Sequence, residues 1–145
     1  MRLVIDTNIV VSPLVDDEFA EDSLLFLKMA KKNGHILLIP PIVLSELYTW
    51  VYLDPEPKKR EKELNDFLAA AKINILFTFT KEIIKRAGEL YAEYIMRGGE
   101  RKRILPDFII GAYAESIGDI FVTWNPCDFK LKIPVKTPIE ACIEL

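Results

Sequence analysis

Leu3-Val4-Ile5-Asp6-Thr7-Asn8-Ile9-Val10 is the stretch from which the rest of the chain is read. Leu3, Val4 and Ile5 are apolar and two are β-branched, as in a strand buried on both faces of a parallel sheet. A carboxylate, a hydroxyl and an amide follow at once. In open α/β sheets, ligands bind outside the carboxyl ends of the strands, at the topological switch point. Asp6 is therefore a candidate first residue of a site. Its competing role is to turn the chain into the next segment, a common use of Asp.

Outward from that strand, apolar runs of strand length alternate with segments of helical period. Residues 36–39 (Ile-Leu-Leu-Ile) and 120–123 read as buried strands, 74–77 as a strand or edge turn, and 133–135 as a last strand before a short tail. Residues 11–17, with Pro13, read as a loop. Helices are expected over 21–32, with Leu24, Leu25, Leu27 and Met29 inward, and over 42–53, 58–71, 80–96 and 106–116. Pro41 and Pro106 suit helix starts, Thr80 a cap, and Asn33-Gly34 and Gly118 helix stops. Helix 42–53 is apolar almost all round and is expected to be largely buried. With 58–71 it forms a helical hairpin, and Lys58-Lys59-Arg60 reads as a solvated helix start. This alternation predicts a three-layer α/β/α sandwich with a mainly parallel sheet.

The 145 residues fit one domain, 1–145, with half of them hydrophobic and 28% charged. That describes a soluble globular chain. The apolar runs are too short to span a bilayer, no signal pattern opens the chain, and Cys127 and Cys142 make neither a disulfide framework nor a metal spacing. A reducing cytosol is the expected compartment. The net charge of −3 leaves nucleic-acid contact to local basic patches. The single histidine, His35, reads as a loop residue before a strand, which argues against Ser-His-Asp and Cys-His chemistry and histidine-rich zinc sites.

Acidic chemistry remains. Glu46 is the one charge in the apolar helix 42–53, and a buried carboxylate is costly unless paired or bound to a metal. The alternative is that Ser45, Glu46 and Thr49 face water. Asp107 follows Pro106 at a helix start, a place that also favours acids for the macrodipole alone. Asn125 and Asp128 follow the strand ending at Thr123. If that strand neighbours the first, its carboxyl end faces Asp6. Hard oxygen donors select Mg²⁺ or Mn²⁺, which orient and activate a water and stabilise charge on a phosphate. The residues by themselves leave open whether the substrate is a phosphodiester or a phosphate ester.

Taken in order, the strand into Asp6-Thr7-Asn8, Ser45-Glu46-Leu47, Pro106-Asp107 with Ile110-Gly111-Ala112, and Thr123-x-Asn125-x-x-Asp128-Phe129 resemble the PIN-domain nucleases. Within them the chain looks most like the VapC-type toxins of toxin–antitoxin pairs. The resemblance spans essentially the whole chain. It implies a parallel α/β/α fold and Mg²⁺- or Mn²⁺-dependent cleavage of RNA, with Asp6, Glu46 and Asp107 as the catalytic acids and metal ligands. Thr7 and Thr123 match supporting polar residues. The fourth acidic position falls at Asn125, which ligates through a carbonyl and adds no charge, with Asp128 close enough to share the role. The resemblance also implies a homodimer and an antitoxin partner received in a groove to which the hairpin 42–71 contributes. The basic loop 97–103 nominates Arg101, Lys102 and Arg103 as RNA-phosphate contacts, against a plain solvated loop. Two other readings stand beside this one. One is a PIN-like binding module that has lost activity, which Asn125 keeps open. The other is a haloacid dehalogenase-type phosphatase, disfavoured because Asn8 stands where such sites carry a second Asp.

Overall fold

The computed structural model describes residues 1–99 and 105–145. Its centre is β1 (Arg2–Ile5), flanked by β2 (Ile36–Ile39) and β4 (Ile120–Val122), with β3 (Ile73–Ile75) and β5 (Val135–Lys136) outside them. The order is β3-β2-β1-β4-β5 and all four pairings are parallel. Val4 lies level with Leu38 on one side and Phe121 on the other, and Ile5 with Val122. Leu3, Val4 and Ile5 have no solvent exposure, as a strand covered on both faces requires.

Seven helices, in chain order, cover this sheet: α1 (Thr7–Val15), α2 (Ala20–Lys32), α3 (Pro41–Tyr52), α4 (Pro57–Ala70), α5 (Lys81–Met96), α6 (Leu105–Ile117) and α7 (Pro138–Glu144) among the described residues. The steps β1 to β2 and β2 to β3 run the same way across the sheet, through α1–α2 and α3–α4. Right-handed crossovers put those helices on one face. The return from β3 to β4 runs the other way and puts α5 and α6 on the opposite face. α7 packs on α2. The expected three-layer α/β/α sandwich is the observed fold. The reversal of direction at β1 is the switch point, and the chain leaves the sheet there at Asp6.

Several local expectations change. Residues 11–17 are not a loop, because α1 runs through Pro13 to Val15. Burial of Ile9, Val10 and Ser12 outweighs the cost of about 3 kcal/mol that proline imposes inside a helix. The C-terminal tail is not irregular either. Thr137 and Glu140 form a reciprocal capping box, Pro138 takes the first helical position, and Ala141 is fully buried. In α2 the buried positions are Ala20, Ser23, Phe26, Leu27 and Ala30, while Leu25 points outward at 52% exposure. Packing against β2 and α7 sets that phase, which apolar counting misplaced by about one residue.

α3 is less buried than its composition suggested. Val43, Leu47 and Val51 are buried, but Tyr52 and Leu53 are exposed. Arg60 is no solvated helix start: it pairs with Asp54 and lies 4.5 Å from the centre of the Trp50 ring, stapling the α3–α4 turn. Thr80 caps α5 as expected, accepting from the Ile83 N–H at 3.2 Å. Ile83, Ala87 and Leu90 of that helix meet Phe108, Ala112 and Tyr113 of α6 in a second cluster beside the main core, and Ile84 faces outward. Gly118 is required by close approach. A Cβ there would stand 2.6 Å from Val4 Cγ2, so only glycine lets the end of α6 lie on β1. No helix among the described residues is long and apolar enough to cross a membrane.

Candidate active site

The switch point is polar because two adjacent parallel strands end there together. Asp6 follows β1 and Thr123 follows β4, and the Asp6 N–H continues the ladder to Val122 O at 3.0 Å. Each Asp6 carboxylate oxygen has a neutral donor. Oδ1 accepts from the Thr7 backbone N–H at 2.8 Å, and Oδ2 accepts from Thr123 Oγ1 at 2.8 Å. Asp6 is the N-cap of α1, and the same carboxylate sits in this polar centre. Asp6 is 9% exposed and Thr123 is fully buried.

Thr7 extends the arrangement across to α3. Its hydroxyl donates to Glu46 Oε1 at 2.9 Å. Glu46 lies between the two readings of its helix, since Ser45 and Thr49 face water while Glu46 is half-buried. Burial is the largest influence on its carboxyl and pushes it above the ordinary glutamate range. The Thr7 hydrogen bond opposes that rise, and the negative charges of Asp6 and Asp107 add to it. Asp107 reaches this place from the first turn of α6, where the macrodipole also favours it.

The loop after β4 completes the rim. The Asn125 N–H donates to Thr123 Oγ1 at 3.1 Å, so one hydroxyl links the loop backbone to Asp6. Asn125 precedes a 3₁₀ turn, Pro126–Asp128, and both Asn125 and Asp128 are exposed. Asp128 and Asp107 line a common crevice with Arg97, Gly111 and Phe129. Asp6, Thr7, Glu46, Asp107 and Thr123 are thus brought together, while Asn125 and Asp128 border them. Arg101, Lys102 and Arg103 lie outside the described residues. The sequence reading passed over Ser23 and Trp124. A serine on the apolar side of an amphipathic helix was the available signal.

The donors here are carboxylate, hydroxyl and amide oxygens, the set that hard divalent cations take. Glu46 is the specific sign of fit: burial first, and then the charges of Asp6 and Asp107, favour its protonation, and a cation would offset both. As the side chains stand, no three His, Cys, Asp or Glu residues among those described are close enough to hold one ion. The acids sense one another as charges without forming a closed ligand shell.

Known structures share this arrangement of strands and helices. A chain of the VapBC2 complex from Rickettsia felis, bound to a DNA fragment from its promoter, is similar over 94% of this chain and 98% of its own, at 24% identity and a TM-score of 0.77. A chain of VapBC-1 from nontypeable Haemophilus influenzae is similar over 96% and 99%, at 15% identity and a TM-score of 0.74. A toxin–antitoxin complex from Klebsiella pneumoniae contains a chain 26% identical, covering 94% and 97%, with a TM-score of 0.61. The search of curated proteins found no match. The sequence profile of the PIN domain matches residues 3–130, and the chain belongs to that family.

Proposed function

We propose that this protein is a metal-dependent endoribonuclease of the VapC type, the toxin half of a toxin–antitoxin pair. One observation carries the reading. Asp6, Glu46 and Asp107 come from three separate elements and face one another at the sheet's switch point, where burial first, and then the charges of the other two acids, push Glu46 toward protonation.

In this reading Asp6, Glu46 and Asp107 hold Mg²⁺ or Mn²⁺, with Asn125 or Asp128 completing the set. Such an ion would orient and polarise an attacking water and supply positive charge for the phosphate in the transition state. The chain's own residues do the positioning. Thr123 and the Thr7 N–H fix both Asp6 oxygens, and the Thr7 hydroxyl fixes the Glu46 head. Arg101, Lys102 and Arg103 carry RNA phosphates without reading sequence. The protein works as a single domain, as a homodimer and in the cytosol. The hairpin of α3 and α4 helps receive an antitoxin segment. The similar chain in a toxin–antitoxin complex from Klebsiella pneumoniae supports that partner.

The test is cleavage of a structured RNA mixture with Mg²⁺ or Mn²⁺ by wild type, Asp6→Asn and Asp107→Asn. Metal-dependent cutting by wild type alone is expected. Cutting that survives both substitutions places the chemistry elsewhere. No cutting by folded, antitoxin-free protein, together with no Mn²⁺ uptake in calorimetry, leaves a binding module that has lost activity.

A further inference from the structure

We infer that Trp124 is a positioning residue for the carboxylate site, acting through a hydrogen bond to Ser23 in α2; this rests on the nuclease reading. Trp124 stands between Thr123, whose hydroxyl holds Asp6, and Asn125, whose N–H holds Thr123. Its indole Nε1–H donates to Ser23 Oγ at 2.9 Å, across 101 residues of sequence. Ser23 is fully buried and lies on α2, an element that contributes no residue to the acid cluster. The indole also stacks on Phe19, with ring centroids 4.6 Å apart and planes at 30°. A long contact of 3.5 Å joins the Trp124 backbone N–H to Asn8 Oδ1.

The consequence is geometric. A residue in the middle of a three-residue link is tied to α2 by its side chain and approaches α1 by its backbone. Rotation about that link would shift Thr123 Oγ1 and the Asn125 backbone together. The Asp6–Thr123 bond is buried, so its length depends on how well the strand end is held. Simple core filling needs only the ring. The placement of a donor onto a buried hydroxyl adds a direction, and a direction is what orients a ligand-supporting loop.

The experiment separates ring from donor. Trp124→Phe keeps an aromatic surface on Phe19 and removes the N–H. Ser23→Ala removes the acceptor. The double variant removes both. Mn²⁺ affinity is read by calorimetry, RNA cleavage as kcat and KM, and folding by thermal unfolding. Each single variant should weaken Mn²⁺ about tenfold, the lower end of the range for outer partners of metal ligands. The double variant should be little worse than either single, because one bond is lost in all three. kcat should fall with KM nearly unchanged. Loss of thermal stability with Mn²⁺ affinity and kcat kept would overturn the inference and leave Trp124 as packing. Additive losses in the double variant would overturn the coupling to Ser23. A folded wild type that neither binds Mn²⁺ nor cuts RNA overturns the nuclease reading and this inference with it.

Discussion

Glu46 and Glu115 are both helical acids held by hydrogen bonds, and their surroundings shift the two carboxyls in opposite directions from the ordinary glutamate range. At Glu115, on α6, burial pushes the carboxyl up, but hydrogen bonds from Arg86 and from the Lys132 backbone N–H outweigh it and hold the group below its ordinary range. The Arg86 guanidinium takes Glu115 as a two-point partner, contacts Glu89, and lies 3.6 Å from Glu93. Its own pKa is raised by the same bonds. At Glu46 the donor is a neutral threonine hydroxyl and the neighbouring charges are acidic. Pairing with arginine makes the first group a staple between α5 and α6. In the function proposed above the second group receives a cation, and without one its burial beside other acids disfavours the charged form.

The largest break in this comparison should come from the acids proposed as ligands. Asp6→Asn and Asp107→Asn should each lower metal-dependent RNA cleavage by about a hundredfold or more, since even outer partners of metal ligands cost about 10- to 100-fold. Steady-state cleavage with Mn²⁺ titrated to saturation checks this, and the folded fraction should be unchanged. Arg86→Met should do the reverse. It leaves Glu115, 8% exposed, without its cation and should destabilise the fold by about 3 kcal/mol, read by urea unfolding. Cleavage per folded molecule should be kept. Loss of catalysis with full stability would show that the α5–α6 staple belongs to the site.

Glu46→Gln gives a smaller and signed effect. The folded pKa of Glu46 lies above its ordinary value of 4.5. The native state therefore binds more protons than the unfolded chain in the interval above that value. Stability falls as pH rises through that interval, and the full penalty is present above the folded pKa. Metal-free Glu46→Gln should unfold at a higher temperature than wild type at neutral pH, and the difference should vanish below about pH 4.5. Saturating Mn²⁺ should stabilise wild type more than the variant and reverse the order. The smallest effect is expected at Asn125→Asp. An added charge on the exposed rim should tighten Mn²⁺ a few-fold, roughly 1 kcal/mol or less, by calorimetry.

The opening strand, the parallel sheet, the alternation of elements and the order of the acids were legible because burial on both faces forces continuous apolar runs in β1, β2 and β4. Asp6 and Asp107 were legible because each interrupts or opens an apolar element. The path through Pro13 was not, because proline's local cost is outweighed by contacts of Ile9 and Val10 that no window of sequence contains. The capping box of α7 was written in Thr137 and Glu140 and was passed over.

The residues of the chain by themselves determined which chemistry was available: oxygen donors, one histidine, no disulfide pattern. Tertiary structure decided which of those donors meet. Thr123 reaches Asp6 over 117 residues, Thr7 reaches Glu46 over 39, and Trp124 reaches Ser23 over 101. Each contact depends on strand order and helix phase, which are set by packing the whole core. The direction of the Glu46 shift follows from the same cause, since a carboxylate's pKa is fixed by burial and neighbours and not by its own side chain.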